Sequence, residues 1–145
     1  MLIREILAVK GSTEIYSAKP DETIADVVKR MVQHNIGSLV VLDKAVMMGY
    51  ITERDVMRGM AAKGCSLAEI KVSEIMDKEP FVCAPEDSVD YARDVMTKNR
   101  ISHLVVMDGE KLIGVISLHD IAKASLKYAH YENELLKRYI KHWPE

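Results

Sequence analysis

The feature that most limits how this chain can fold is an internal duplication with a fixed offset of 65 residues. Gly49-Tyr50-Ile51-Thr52-Glu53-Arg54-Asp55 returns as Gly114-Val115-Ile116-Ser117-Leu118-His119-Asp120, and the register holds without a gap back to Pro20 and Pro85. Between Pro20 and Asp55, ten of 36 positions are identical to their partners, where composition alone would give about two or three. A supersecondary unit of this size cannot bury its own apolar face, so two copies must pack together. Two copies of one polar motif further predict two related binding sites.

Each copy shows the same succession of periodicities. A short extended stretch comes first, Glu14-Ile15-Tyr16-Ser17 and Pro80-Phe81-Val82-Cys83. Thr23 or Ser88 then caps an amphipathic helix of about three turns. Its apolar stripe is Ile24, Val27, Val28 and Met31 in one copy and Val89, Ala92, Val95 and Met96 in the other. Leu39 to Leu42 and Leu104 to Met107 are unbroken apolar runs, the pattern of strands buried on both faces. Asp43-Lys44 and Asp108-Gly109 supply hairpin turns. Third strands follow at Met48 to Ile51 and Ile113 to Ile116, running into helices that start at Thr52 and Ser117. Each repeat therefore reads β-α-β-β-α, an α+β unit with one parallel and one antiparallel strand pairing.

The segments around the repeats are less regular. Glu5-Ile6-Leu7 and Glu74-Ile75-Met76 are matching lead-ins, but offset by 69 residues, so the first copy carries four extra residues around Val9 to Ser12. Gly64 is placed to end the first repeat's last helix. Ile121 to Trp143 is helical in pattern, with Leu135, Leu136, Tyr139, Ile140 and Trp143 along one face. That stripe reads as intramolecular packing, with a dimer or partner surface as the alternative. The resulting division is 1–64 and 65–125 for the repeats and 126–145 for a C-terminal helix.

A net charge of −2 gives no electrostatic basis for nucleic-acid binding, which needs many Lys/Arg–phosphate contacts. Cys65 and Cys83 are too few and too far apart for a disulfide framework. The N-terminus has no signal-peptide pattern, and no apolar run approaches the roughly 18 residues of a membrane span. These features read as a cytoplasmic protein, intact at both ends, with reduced thiols. No Ser/His/Asp arrangement or Walker-type loop is present, and His34, His103, His119, His130 and His142 are scattered rather than set at metal-ligand spacing. The expectation is no enzyme and no metal.

The chemistry lies in the repeated Gly-apolar-apolar-Thr/Ser-x-x-Asp. At Gly49 and Gly114 the missing side chain would let a flat ligand approach the strand backbone. Thr52 and Ser117 stand where a helix N-terminus attracts phosphate. Asp55 and Asp120, one turn on, offer carboxylates that can hold both hydroxyls of a ribose. The same four residues are also close to a capping box, although that box prefers Glu or Gln at the position held here by Asp. Recurrence of the motif with its preceding Gly and apolar pair favours a ligand, and the two roles are compatible.

This pattern, preceded by Asn35-Ile36-Gly37-Ser38-Leu39-Val40-Val41 and Arg100-Ile101-Ser102-His103-Leu104-Val105-Val106, resembles the CBS domain. The chain resembles a stand-alone tandem CBS pair over about residues 1–125. The resemblance implies two repeats packed pseudo-symmetrically, with two clefts that bind adenosine-containing ligands: AMP, ADP or ATP, or alternatively S-adenosylmethionine or NAD(H). It implies one site from Tyr50, Thr52 and Asp55 with Phe81, Val82, Ser102 and His103. The other would combine Val115, Ser117 and Asp120 with Tyr16, Ser17, Gly37 and Ser38. Arg54, Arg100, His103 and His119 fall near positions that face phosphates in related proteins. Three of these cations would favour the Asp55 cleft, which is expected to prefer the more highly phosphorylated ligand. The resemblance further implies a regulatory module that needs no cofactor, forms a homodimer through its helices and signals to an unidentified protein. A module whose clefts are empty is the competing expectation.

Overall fold

The structure is a computed structural model that describes residues 1–10, 14–64, 66 and 69–140. Ser12, Cys65, His142 and Trp143, named above, lie outside the described residues. In chain order the elements are α1 (Ile3–Lys10), β1 (Ser17–Ala18), α2 (Ile24–His34), β2 (Ser38–Asp43), β3 (Val46–Thr52), α3 (Glu53–Lys63), α4 (Val72–Ile75), β4 (Val82–Cys83), α5 (Val89–Asn99), β5 (His103–Asp108), β6 (Lys111–Ser117) and α6 (Leu118–Tyr139). Both β-α-β-β-α runs are present, and the fold is α+β as the periodicities predict.

Each repeat builds a three-stranded sheet in sequence order, β1-β2-β3 and β4-β5-β6. The first pairing is parallel and the second antiparallel in both sheets. The unbroken apolar runs are explained by burial on both faces: Leu39, Val40 and Val41, like Leu104, Val105 and Val106, are at most 1% exposed. Thr23 and Ser88 cap α2 and α5 by accepting from the N–H of Asp26 and Tyr91. Gly64 closes α3 at φ 86°, its N–H bonding to Met60 O at 2.8 Å. The first hairpin turns through Lys44 and Ala45, both at positive φ (50° and 67°), whereas the second has Gly109 at φ 60°.

The chain divides into two compact units, one of residues 14–80 and one joining residues 1–13 to 81–145. α1 thus belongs with the second sheet and α4 with the first. The cause lies in helix ends, whose first N–H groups have no partner within the helix. In the discontinuous unit, Ile3 and Arg4 donate to the carbonyls of Asp87 and Pro85, and Val89 donates to Met1 O, all at 2.9 Å. In the continuous unit, Val72 and Ser73 donate to Glu22 O and Pro20 O at 2.9 and 3.0 Å, and Ile24 donates to Ile70 O at 2.9 Å. Two helix starts therefore satisfy one another in each unit. The same docking fills the cores, α1 supplying Ile3 and Ile6 to one and the α4 segment supplying Ile70 and Val72 to the other. Each such side chain contributes about 1.5–3 kcal/mol by leaving water.

α6 runs unbroken from Leu118 to Tyr139, but its last buried residue is Ala124. Leu136, Tyr139 and Ile140 are 60%, 85% and 45% exposed, while Leu135 is half-buried. The intramolecular-packing reading of this stripe is corrected for those three residues: the helix extends past the core that could have covered them.

Candidate functional site

In the continuous unit the motif sits where β3 passes into α3. Thr52 is the N-cap, and its side chain accepts from the Asp55 N–H at 3.2 Å while Asp55 Oδ2 accepts from the Thr52 N–H at 2.9 Å. The Thr52 hydroxyl adds a bond to the same Oδ2 at 3.1 Å. A capping box is thus formed with Asp in place of the favoured Glu or Gln. Among the described residues Asp55 Oδ1 faces only the exposed Arg58 guanidinium, 3.8 Å away. The neighbouring strand closes the group: Ser38 lies opposite Thr52, and Glu53 N–H donates to Gly37 O at 2.9 Å. Tyr50 is buried, and its hydroxyl donates to Ser38 Oγ at 2.6 Å. Burial pushes that hydroxyl's pKa up to about 12; the Ser38 bond opposes the rise and the Asp55 charge adds to it.

The discontinuous unit repeats the capping box, has Val115 and His103 where the first has the Tyr50–Ser38 hydrogen bond, and makes one addition. Ser117 caps α6 by accepting from Asp120 N–H at 3.0 Å, and Asp120 Oδ2 accepts from Ser117 N–H at 2.9 Å. Leu118 N–H donates to Ser102 O at 2.9 Å, and His103 lies opposite Ser117. The addition is Lys10, at the end of α1. Its ammonium lies 3.1 Å from Asp120 Oδ2 and donates to Val115 O at 2.8 Å. Burial works to raise the Asp120 carboxyl, but the Ser117 N–H and Lys10 outweigh it and hold the group below its ordinary value. Sequence reasoning passed over Lys10, although the four extra residues around Val9 to Ser12 marked the place where the copies diverge.

The other assigned residues fall around these two groups. Arg54 and His119, each two residues into its helix, are exposed, as is Arg100, which ends α5 in the left-handed conformation at φ 53°. Ser102 Oγ and His103 Nδ1 are 3.1 Å apart. Phe81 and Val82 expose about half their surface (48% and 44%). Tyr16 stacks on His34 with ring centroids 4.5 Å apart, and Ser17 O accepts from Arg30. Within a unit, then, Gly37, Ser38 and Tyr50 gather about Asp55, and Ser102, His103 and Val115 gather about Asp120.

The two motif glycines have a different cause from the one expected. A Cβ at Gly49 would lie 2.5 Å from Asp77 O and 3.1 Å from Met76 Sδ. The space in front of Gly49 is filled by the chain itself, which pairs Tyr50 N–H to Asp77 O at 2.9 Å and Asp77 N–H to Tyr50 O at 2.8 Å. At Gly114 the neighbour is the Leu7 side chain, 3.3 Å away. The reading that these glycines admit a flat ligand is corrected: both admit the lead-in segment.

Among the described residues no three His, Cys, Asp or Glu side chains cluster as metal ligands. No helix among them is long and apolar enough to cross a membrane. A shallow cavity of about 290 Å³ lies at the hairpin end of the first sheet, lined by Ser17, Lys19, Glu22, Arg30, Leu42 and Lys44 among others. That is the end of β2 remote from Ser38.

Two segments of the chain, residues 3–62 and 72–127, match the CBS domain model. The chain is 37% identical over 146 residues to the CBS domain-containing protein CBSX3, mitochondrial, of Arabidopsis thaliana, covering 95% of this chain and 71% of that protein. The CBS-domain containing protein ATU1752 of Agrobacterium tumefaciens superposes with a TM-score of 0.80 at 30% identity, over 86% of this chain and 92% of that one. The CBS domain pair of protein MJ0100, solved in complex with 5′-methylthioadenosine and S-adenosyl-L-methionine, gives a TM-score of 0.72 at 25% identity, over 85% of this chain and 98% of that one. With a matching motif at the end of the third strand in each repeat, this chain belongs to the CBS-domain family, as a tandem CBS pair.

Proposed function

We propose that the protein is a non-enzymatic regulatory module of the cytoplasm that binds an adenosine nucleotide, AMP, ADP or ATP, and conveys its ligand state to a partner protein. The observation that carries this reading is the state of the two aspartates. In each capping box one carboxylate oxygen is committed to the helix N-terminus, and the other remains outside the box. A carboxylate held rigidly with one acceptor to spare, beside backbone N–H groups at a helix start, suits a ribose hydroxyl next to a phosphate. The adenosyl compounds bound to the MJ0100 pair support the same ligand class and keep S-adenosylmethionine as an alternative, alongside NAD(H). The ligand-contacting set we propose is Tyr16, Ser17, Gly37, Ser38, Tyr50, Thr52, Arg54, Asp55, Phe81, Val82, Arg100, Ser102, His103, Val115, Ser117, His119 and Asp120.

A thermal-shift panel with AMP, ADP, ATP, S-adenosylmethionine and NADH tests the reading. A ligand at 100 times its Kd stabilises by about 2.7 kcal/mol, roughly 5–10 °C for a chain of this size. Asp55→Ala and Asp120→Ala should each lose part of that shift. The second reading, a ligand-independent interaction module or homodimer, draws on the exposed Leu126, Tyr131, Leu136 and Tyr139 of α6. It predicts no shift with any member of the panel and self-association lost on Leu136→Glu.

A further inference from the structure

The two repeats place the same carboxylate on the same box, yet the lead-in segment treats the neighbouring strand edge in two ways. In the continuous unit α4 stops at Ile75, and the following backbone at Asp77 pairs with Tyr50. Tyr50 has Val115 as its repeat equivalent, facing Val105 in the same register that sets Tyr50 against Val40. In the discontinuous unit α1 continues as helix to Lys10, and no backbone bridge at Val115 occurs among the described residues. A side-chain ammonium takes its place. Lys10 spans two acceptors, Val115 O at 2.8 Å and Asp120 Oδ2 at 3.1 Å. Its side chain is only 31% exposed and that of Asp120 16%. The Arg58–Asp55 contact has no such character, with Arg58 75% exposed and the atoms 3.8 Å apart.

The ammonium shares Asp120 Oδ2 with the capping box and leaves Oδ1 for a ribose hydroxyl, but it fills the Val115 carbonyl, a strand acceptor that a ligand's own donor would use, and it sets a positive charge against the carboxylate. We propose that Lys10 is a built-in occupant of the Asp120 site, so that a ligand binds there only by displacing the ammonium. This rests on the nucleotide-binding reading above and adds a selectivity to it. A neutral nucleoside displaces Lys10 and leaves it without a partner. A nucleotide displaces it and offers a phosphate in exchange, a charge-assisted contact of the kind being broken. The Asp120 site therefore discriminates for phosphate through Lys10, and among the described residues the Asp55 site has no counterpart to this device.

The test uses the full chain carrying Asp55→Asn, which keeps a capping acceptor while removing the charge at the other site. Adenosine and AMP are titrated calorimetrically into this protein with Lys10 intact, with Lys10→Met and with Lys10→Arg. Removing the ammonium should tighten adenosine roughly tenfold, the scale of one charge-assisted contact, and leave AMP within a few-fold. The preference for AMP should thus collapse about tenfold in Lys10→Met and return in Lys10→Arg. Measurable binding with the same AMP preference in all three proteins would overturn the role of Lys10 alone. Failure of all three to bind either compound would overturn both this inference and the nucleotide reading of Asp120. Melting curves of the three proteins without ligand separate loss of fold from loss of selectivity.

Discussion

Replacing the motif glycines one at a time by alanine distinguishes the packing account from the ligand account of this sequence. At Gly49 a Cβ would stand 2.5 Å from the Asp77 carbonyl oxygen, a backbone atom that cannot rotate away. Relief requires moving Asp77, which breaks the pair of hydrogen bonds at 2.9 and 2.8 Å that join it to Tyr50. Each is worth about 1 kcal/mol net, overpacking adds about 1–3 kcal/mol, and the stiffer alanine returns about 0.4–1 kcal/mol through the unfolded state. The expected net loss is about 3 kcal/mol. At Gly114 the obstacle is a Leu7 methyl at 3.3 Å, which a small rotation clears, so Gly114→Ala should stay within about 1 kcal/mol of the parent. In urea, with a slope of about 2 kcal/mol/M, the Gly49→Ala midpoint should fall by about 1.5 M and the Gly114→Ala midpoint by less than about 0.5 M. If both glycines existed to admit a ligand, both variants would keep the parental midpoint and lose binding together. Equal midpoints would refute the packing argument.

Three further outcomes follow from the same geometry. Asp120 is held below its ordinary pKa, so its contribution is present above the unfolded carboxylate value of about 3.9 and is lost as pH falls through the folded value; Lys10→Met should flatten this acid limb in urea midpoints measured from pH 6 to pH 3. Ala45→Gly should raise the midpoint by the equivalent of about 0.5–1 kcal/mol, because Ala45 is held at φ 67°, a region that costs a side chain about 1–2 kcal/mol against a smaller entropic loss for glycine. Burial, with the Asp87 charge adding, pushes the Cys83 thiol up to about 12, so a thiol reagent at pH 8 should modify Cys83 only at the rate of unfolding; rapid native labelling would count against its burial.

The elements were legible because each is encoded locally. The runs at Leu39 to Val41 and Leu104 to Val106 read as strands from their lack of polar alternation, and Thr23, Ser88 and Gly64 mark helix ends by chemistry that acts within four residues. Gly49 shows the limit of such signals. A glycine announces that something approaches the backbone, and nothing local says whether that is a ligand or Asp77, 28 positions on. Lys10 was illegible for a stronger reason: its partners Val115 and Asp120 are more than a hundred residues away, and it meets them only because α1 docks with the second sheet. The capping boxes of Asp55 and Asp120 were readable because they close within four residues; only the unequal neighbours of the two carboxylates depend on that docking.

The exchange of lead-in segments also sets an order of events on the ribosome. One unit is a continuous stretch, residues 14–80, and has all its parts once Pro80 has emerged. The other opens with α1 and is not complete until α5, β5, β6 and the start of α6, to about Ala124, have been made. At about 5–20 residues per second that leaves Ile3 and Ile6 uncovered for roughly 2–9 s after the first unit can close. An amphipathic helix whose apolar face waits that long for its sheet is a natural point of attack for chaperones and for mispairing with a second nascent chain. Polar substitutions there should lower the yield of folded protein in cells before they alter any property of the ligand sites.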